Sequence, residues 1–276
     1  MIQWFPGHMA KARREIEENL KLVDVVVEIV DARTPKSSQN PMLQEVIKNK
    51  EKVIVLMKRD LADENRTLNW LDTLNDEHTK SIAVAANSQN DINKVIQLIE
   101  SVGLEAQKRM TDKGVNRRPV RAMMIGIPNV GKSTLINRFV NRKIAKIGDR
   151  PGITKHQQWI KINKNFELLD TPGILWPKFD NPDDGKRLAI LGTIKDNLIP
   201  GQDVTAFLLN YLFEFYPETI KERYEIKDVE DMWDVFETIG KKRGALESGG
   251  HINFDKVSQI VLKDFRTGKL GKISLE

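Results

Sequence analysis

The stretch MMIGIPNVGKSTLINRF, residues 123–139, decides the fold. It contains the pattern G-x-x-x-x-G-K-S from Gly126 to Ser133, which is typical of loops that bind nucleotide phosphates. An apolar strand precedes the pattern and a helical segment follows it, as such a loop requires. Backbone N–H groups of the curled loop and the positive end of the helix then face the same anion. The predicted phosphate contacts are Pro128, Asn129, Val130, Gly131, Lys132, Ser133 and Thr134.

Further motifs complete a predicted phosphate and magnesium site. Lys132 is expected to bridge the β- and γ-phosphates as a catalytic residue, and the Ser133 hydroxyl to ligate Mg²⁺. In LLDTPG, Asp170 ends an apolar strand and is expected to hold Mg²⁺ through water, while the Gly173 N–H bonds the γ-phosphate. Thr154 in DRPGITKH lies between the two motifs and is the expected switch hydroxyl on Mg²⁺.

The elements that would read the base lie upstream of the phosphate loop. A guanine site needs a carboxylate that accepts hydrogen bonds from N1 and N2 together, because adenine lacks that pair of donors. The segment VIVLMKRDLAD places Lys58, Arg59 and Asp60 directly after a strand, as in the N-K-x-D motif of GTPases. SIAVAANS resembles the loop whose backbone N–H reads guanine O6, here near Ala85, Ala86 and Asn87. The base-reading elements therefore precede the phosphate elements.

This motif order resembles that of the circularly permuted GTPases, and more narrowly of the bacterial GTPases that assemble the large ribosomal subunit. The resemblance runs through WFPGHMAKA, VDARTP, GIPNVGKSTLIN and DFRTGKLGKISLE, over essentially the whole chain. It implies bound GTP or GDP, Mg²⁺, slow GTP hydrolysis stimulated by the large subunit, and binding to that subunit's rRNA in a nucleotide-dependent manner. One position departs from the family: Met57 stands where N-K-x-D has asparagine. This predicts weaker guanine nucleotide binding with the preference for guanine retained.

Two further assignments keep an alternative. Ile174 occupies the position of the water-orienting glutamine of Ras-like enzymes and cannot hydrogen-bond through its side chain. The resemblance points instead to His8 as the catalytic residue that acts on the water; the residues alone also fit a surface or RNA-contacting histidine. Asn129 resembles the asparagine that ligates K⁺ in potassium-stimulated GTPases, and it equally fits a loop asparagine satisfied by backbone.

The segments around these motifs predict an α/β fold, a circularly permuted P-loop GTPase domain over residues 1–176 with a helical, RNA-binding domain over 177–276. Near-continuous apolar runs at 24–32 and 52–57 indicate parallel strands covered on both faces. In the C-terminal part, DVTAFLLNYLFEFY, VEDMWDVFETIGKKRG and DKVSQIVLKDFRTG read as amphipathic helices.

Composition narrows the classes of protein to consider. The net charge of +5 fits a polyanionic partner, and the absence of cysteine excludes disulfides and thiol catalysis. No signal peptide or membrane span is expected, so the protein is expected to be cytoplasmic, with no obvious dimer seam. Basic clusters that fit RNA binding, or simply a solvated face, are Lys11, Arg13, Arg14, Arg117, Arg118, Arg121, Lys241, Lys242, Arg243, Lys263, Arg266, Lys269 and Lys272. An RNA-binding scaffold with structural nucleotide is the alternative function; a P-loop ATPase or kinase is disfavoured by Asp60.

Overall fold

The computed structural model describes residues 6–47, 50–111, 118–140, 158–170, 181–194, 200–226 and 231–276, and for residues 6–12, 110, 111, 158 and 170 the backbone alone. The chain divides into two compact units, Met1–Lys178 together with Glu276, and Phe179–Leu275. In the part of the chain so described, no helix has the length and apolar character needed to cross a membrane.

The first unit is built on a mixed sheet. Within the described residues its strands are β1 (Val25–Asp31), β2 (Glu51–Met57), β3 (Thr79–Val84), β4 (Val120–Gly126), β5 (Gln158–Lys161) and β6 (Phe166–Asp170). They are ordered β3-β2-β1-β4-β6-β5, and all neighbours are parallel except β5 and β6. All seven residues of β1 are buried because β1 lies inside the sheet and is covered on both faces. The predicted α/β fold is confirmed, with β1, β2 and β3 ahead of β4 and the predicted phosphate loop that follows it.

Helices cover this sheet: α1 (Pro6–Leu20), α2 (Pro41–Ile47), α3 (Glu64–Leu74), α4 (Gln89–Thr111) and α5 (Lys132–Phe139), with one 3-10 turn at Arg59–Leu61. One core cluster joins Ile16 and Leu20 of α1 to Leu43 of α2 and Met123 of β4. The parallel strands β1, β2, β3, β4 and β6 all end at one edge, so the loops that follow them meet there.

The second unit is helical. Its described helices are α6 (Pro182–Ile190), α7 (Gly201–Phe215), α8 (Pro217–Tyr224), α9 (Met232–Arg243) and α10 (Phe254–Arg266). Asn181, Asp231 and Asn253 begin α6, α9 and α10 by accepting a hydrogen bond from a first-turn N–H, as N-cap side chains do. The predicted helical C-terminal region is confirmed.

Candidate nucleotide-binding site

The phosphate loop connects the end of β4 to the start of α5. A Cβ on Gly126 would lie 2.8 Å from the carbonyl oxygen of Ile29, so only glycine lets the loop pass so close to β1. Gly131 (φ +107) and Asn129 (φ 62) both adopt the left-handed conformation, which curls the loop. The N-cap of α5 is Gly131, which has no side chain, and the positive end of this helix favours an anion at the loop. Lys132 follows at once, with only 7% of its surface exposed.

The predicted base-reading segment, residues 58–60, follows β2, the second strand from the phosphate loop. Lys58 has a left-handed backbone (φ 64, ψ 36), which costs a residue with a side chain about 1–2 kcal/mol. Its Nζ lies 2.9 Å from Oδ2 of Asp31, the last residue of β1. Asp60 lies in the 3-10 turn and is exposed, and no described residue forms a hydrogen bond or ion pair with its carboxylate. Its carboxylate is thus accessible at the edge where the phosphate loop begins.

Asp31 is a buried carboxylate held by two cations. Arg33 donates to both of its oxygens, from Nε and Nη2, each at 2.9 Å, and Lys58 provides the second charge. Burial alone would raise the pKa of Asp31, but the Arg33 guanidinium and the Lys58 ammonium hold that pKa well below the usual carboxyl range. The group therefore stays ionised and fixes the start of the base-reading segment.

The loop after β3 is joined to the base-reading segment through Asp91, in the first turn of α4. Oδ2 of Asp91 accepts the Ala85 N–H at 3.0 Å and the Arg59 guanidinium at 2.9 Å. Burial would raise the pKa of Asp91, but the hydrogen bond from Ala85 and the charge of Arg59 lower it. Beyond this loop the Asn87 carbonyl accepts a long hydrogen bond, 3.4 Å, from Arg138 of α5. The two predicted base loops therefore form one connected edge.

Met57, the residue that departs from N-K-x-D, lies between the base and phosphate elements. Its side chain is 1% exposed, and a Cβ on Gly131 would lie 3.2 Å from its Cε methyl group. An apolar contact thus occupies the place where an asparagine amide would connect the two loops. This contact gives the departure a structural role, while its effect on guanine affinity stays a prediction.

Several predicted site residues lie outside the described residues. Thr154 and Gly173 are among them, and so is Ile174. Of His8 only the backbone is described, within α1, and of Asp170 only the backbone. Asp170 ends β6 in parallel register with Met124 of β4, two residues before the phosphate loop begins.

Sequence reasoning missed Asp31, Arg33 and Asp91 as parts of the site. A signal for Asp31 was available, because β1 is an apolar strand that ends in aspartate, as β6 does with Asp170. Asp91 carried no comparable signal, since acidic residues are common in the first turn of any helix.

Comparisons with known proteins agree with this geometry. Residues 121–239 match the family described as 50S ribosome-binding GTPase. The ribosome biogenesis GTPase A of Bacillus pumilus is 51% identical over 276 residues, which cover 100% of this chain and 98% of that protein. The chain belongs to the ribosome biogenesis GTPase A family. It is therefore a GTPase.

Solved members of the ribosome biogenesis GTPase A family extend the likeness to three dimensions. The GNP-bound structure of YlqF from T. maritima superposes with a TM-score of 0.65 at 27% identity, covering 96% of this chain and 97% of that one. A GDP-bound structure of the same protein gives the same TM-score and covers 95% and 98%. The mitochondrial ribosome-associated GTPase 1 of Ictalurus punctatus is a more distant relative, 33% identical over 300 residues. The fold of this chain is thus shared with that solved protein in both nucleotide-bound structures.

Proposed function

We propose that this GTPase binds GTP across the edge formed by the ends of β1, β2 and β4, and that it acts in assembly of the large ribosomal subunit, binding its rRNA in a nucleotide-dependent manner. The observation that carries the site is the contact between Met57, next to the base-reading segment, and Gly131 of the phosphate loop. It supports base and phosphate elements acting on a single nucleotide.

The phosphate side of the site has the chemistry that GTP needs. In the proposed complex the loop N–H groups, from Asn129 to Thr134, and the Lys132 ammonium bind the phosphate oxygens. Mg²⁺ prefers oxygen ligands, and the residues present fit it: Ser133 has a hydroxyl in the first turn of α5, and Asp170 ends the strand beside β4. Thr154 is the proposed third protein group near the ion. When bound, Mg²⁺ would neutralise charge on the β- and γ-phosphate oxygens.

Hydrolysis requires a water whose oxygen attacks the γ-phosphorus while the bond from that phosphorus to the β–γ bridging oxygen breaks. The products are GDP and inorganic phosphate, and the water loses a proton. Ile174 cannot orient the water, so His8 is proposed to do so, with the Gly173 N–H on the γ-phosphate. His8→Ala should lower subunit-stimulated turnover at least tenfold. His78→Ala is the matched control because His78 is an exposed histidine paired with Glu51; equal rates for the two variants would reject the role of His8.

Guanine recognition by Asp60 can be tested by exchanging the hydrogen-bond pattern. Xanthine carries an oxygen in place of the 2-amino group of guanine, so an asparagine amide can donate where Asp60 would accept. Asp60→Asn should therefore weaken GTP binding about tenfold or more and improve XTP binding. Asp63→Asn is the control, because Asp63 caps α3 and asparagine caps helices equally well. Unchanged preference in Asp60→Asn would refute the assignment.

Only some cations of the predicted basic clusters are available to bind RNA. Several of those cations are engaged within the protein: Arg118 pairs with Asp24, Lys242 with Glu225, and Arg266 donates to the carbonyls of Ala189 and Ile190. Lys263 and Lys272 are exposed and pair with no acidic side chain among the described residues. These lysines support RNA-phosphate binding best.

One assay of GTP turnover tests both the ribosomal partner and the dependence on K⁺. We expect GTP turnover to be slow alone, to rise strongly with isolated large ribosomal subunits, and to fall when Na⁺ replaces K⁺ if Asn129 ligates K⁺. The alternative is an RNA-binding scaffold with negligible turnover, which Ile174 and Met57 favour. Subunit binding with unchanged slow turnover would favour that alternative. Saturable ATP turnover above that of GTP would instead indicate an ATPase.

A further inference from the structure

Two carboxylates, one from β1 and one from α4, form ion pairs with the segment that would read guanine. Lys58 pairs with Asp31 at the end of β1, and Arg59 pairs with Asp91 at the start of α4, both at 2.9 Å. Asp60, the next residue, forms no such pair with any residue that the structure describes. The two residues that precede Asp60 are thus fixed while its carboxylate stays accessible.

The backbone of this segment needs such support. Lys58 has a left-handed conformation that a lysine seldom adopts, and the turn that follows is a single 3-10 turn. Two local hydrogen bonds close that turn, from the Leu61 N–H to the Lys58 carbonyl and from the Ala62 N–H to the Arg59 carbonyl. A helix of one turn is not stable by itself. The two ion pairs therefore add to what holds the segment in this conformation.

The two carboxylates differ in their surroundings. Arg33 donates to both oxygens of Asp31, so this carboxylate is oriented independently of Lys58. Asp91 accepts from Arg59 and also from the Ala85 N–H of the neighbouring base loop. A single oxygen of Asp91 thus sets the separation between the two loops that would contact the edge of guanine.

We propose that Asp31 and Asp91 are positioning residues for guanine recognition, which act by holding Lys58 and Arg59 so that the carboxylate of Asp60 meets N1 and N2 together. The proposal rests on the proposed reading of guanine by Asp60. Neither residue needs to touch the nucleotide. Their effect should appear in the preference for guanine rather than in phosphate binding.

The test compares equilibrium binding of GDP and inosine diphosphate, which lacks the 2-amino group and so one of the two hydrogen bonds to Asp60. The measured quantity is the ratio of the Kd for inosine diphosphate to the Kd for GDP. This ratio should be about ten in wild type and near one in Asp60→Ala. Arg59→Ala and Asp91→Ala should each lower the ratio at least threefold, with Asp91→Glu partly restoring it. Arg59 is half exposed, so its replacement leaves the core intact.

Asp31 is tested through its partner Lys58, because Asp31→Asn also destabilises the whole fold. Lys58→Met leaves Asp31 paired with Arg33 and should lower the ratio as Arg59→Ala does. Glu28→Gln is the control for a buried carboxylate of the same strand, paired instead with Lys52, and should leave the ratio unchanged.

The outcomes separate the two proposals. An unchanged ratio in Arg59→Ala, Asp91→Ala and Lys58→Met, with the ratio abolished in Asp60→Ala, would overturn the positioning roles and leave the guanine assignment standing. A ratio that survives Asp60→Ala would overturn the guanine assignment and the positioning roles with it.

Discussion

Replacing Met57 by asparagine should destabilise the nucleotide-free protein and strengthen its binding to guanine. Met57 is 1% exposed and lies against Gly131. Burial of a methionine side chain contributes about 1.5–3 kcal/mol. A buried amide left without partners costs about 1–3 kcal/mol more. The free energy of unfolding without nucleotide should therefore fall by roughly 2.5–6 kcal/mol.

Bound GDP should reverse part of this loss. The amide can donate one hydrogen bond to guanine N7, which contributes about 1 kcal/mol. The Kd for GDP should then fall about fivefold relative to wild type. In 7-deaza-GDP a C–H group replaces N7, so the variant should bind that analogue no more tightly than wild type does.

The assay pairs calorimetric titration of GDP and 7-deaza-GDP with urea unfolding in the absence of nucleotide. Met57→Leu is the control: it keeps an apolar side chain of similar volume, so its stability should change by less than about 1.5 kcal/mol. Both of its nucleotide affinities should match wild type. The reasoning fails if Met57→Asn binds GDP no better than wild type, or gains equally for the 7-deaza analogue.

Four other substitutions have expected outcomes. Asp31→Asn removes one partner of a buried ion pair and should cost about 3–5 kcal/mol at pH 7. Because the folded-state pKa of Asp31 is depressed, wild type loses this advantage only as the pH falls below about 4, and urea unfolding at pH 7 and 3 should show the gap narrowing. Gly126→Ala places a Cβ 2.8 Å from a β1 carbonyl and should cost about 1–3 kcal/mol in thermal unfolding; Gly201→Ala, with nothing closer than 3.7 Å, should not. Arg266→Ala should lower the melting temperature because two α6 carbonyls lose their donor. Lys263→Ala should leave the melting temperature unchanged but reduce the slope of log K against log salt concentration for rRNA binding by about one. If Arg266→Ala reduced that slope and Lys263→Ala did not, the RNA contact would belong to Arg266.

Strands and long helices were predictable because their apolar patterns are local. The strand predicted at 52–57 is observed as β2 at Glu51–Met57, and the helix predicted for DVTAFLLNYLFEFY is observed as α7 at Gly201–Phe215. The short helices α6 and α8 were not predicted, since nine and eight residues carry too little periodic pattern. Short helices of this kind are stabilised mainly by packing, which sequence does not display.

The sequence predicted some residues of the candidate site but not the pairings between them. Motif spacing found the phosphate loop and Asp60, because their chemistry requires fixed residue types at fixed positions. The pairing of Lys58 with Asp31 joins residues far apart in sequence, and no local pattern marks it. In the same way, Arg266 is one of several cations in its stretch, and only the structure assigns it to the end of α6.

The position of β1 in the sheet has a consequence for synthesis of the chain. β1 is fully buried and pairs with β2, close behind it in sequence, but also with β4, which begins only at Val120. At usual translation rates of about 5–20 residues per second, one edge of this apolar strand therefore waits on the order of 5–20 s for its partner. During that interval the nascent chain presents an unpaired edge that can join another chain. The permuted order therefore gives the emerging chain an interval in which chaperone protection of β1 would be most useful.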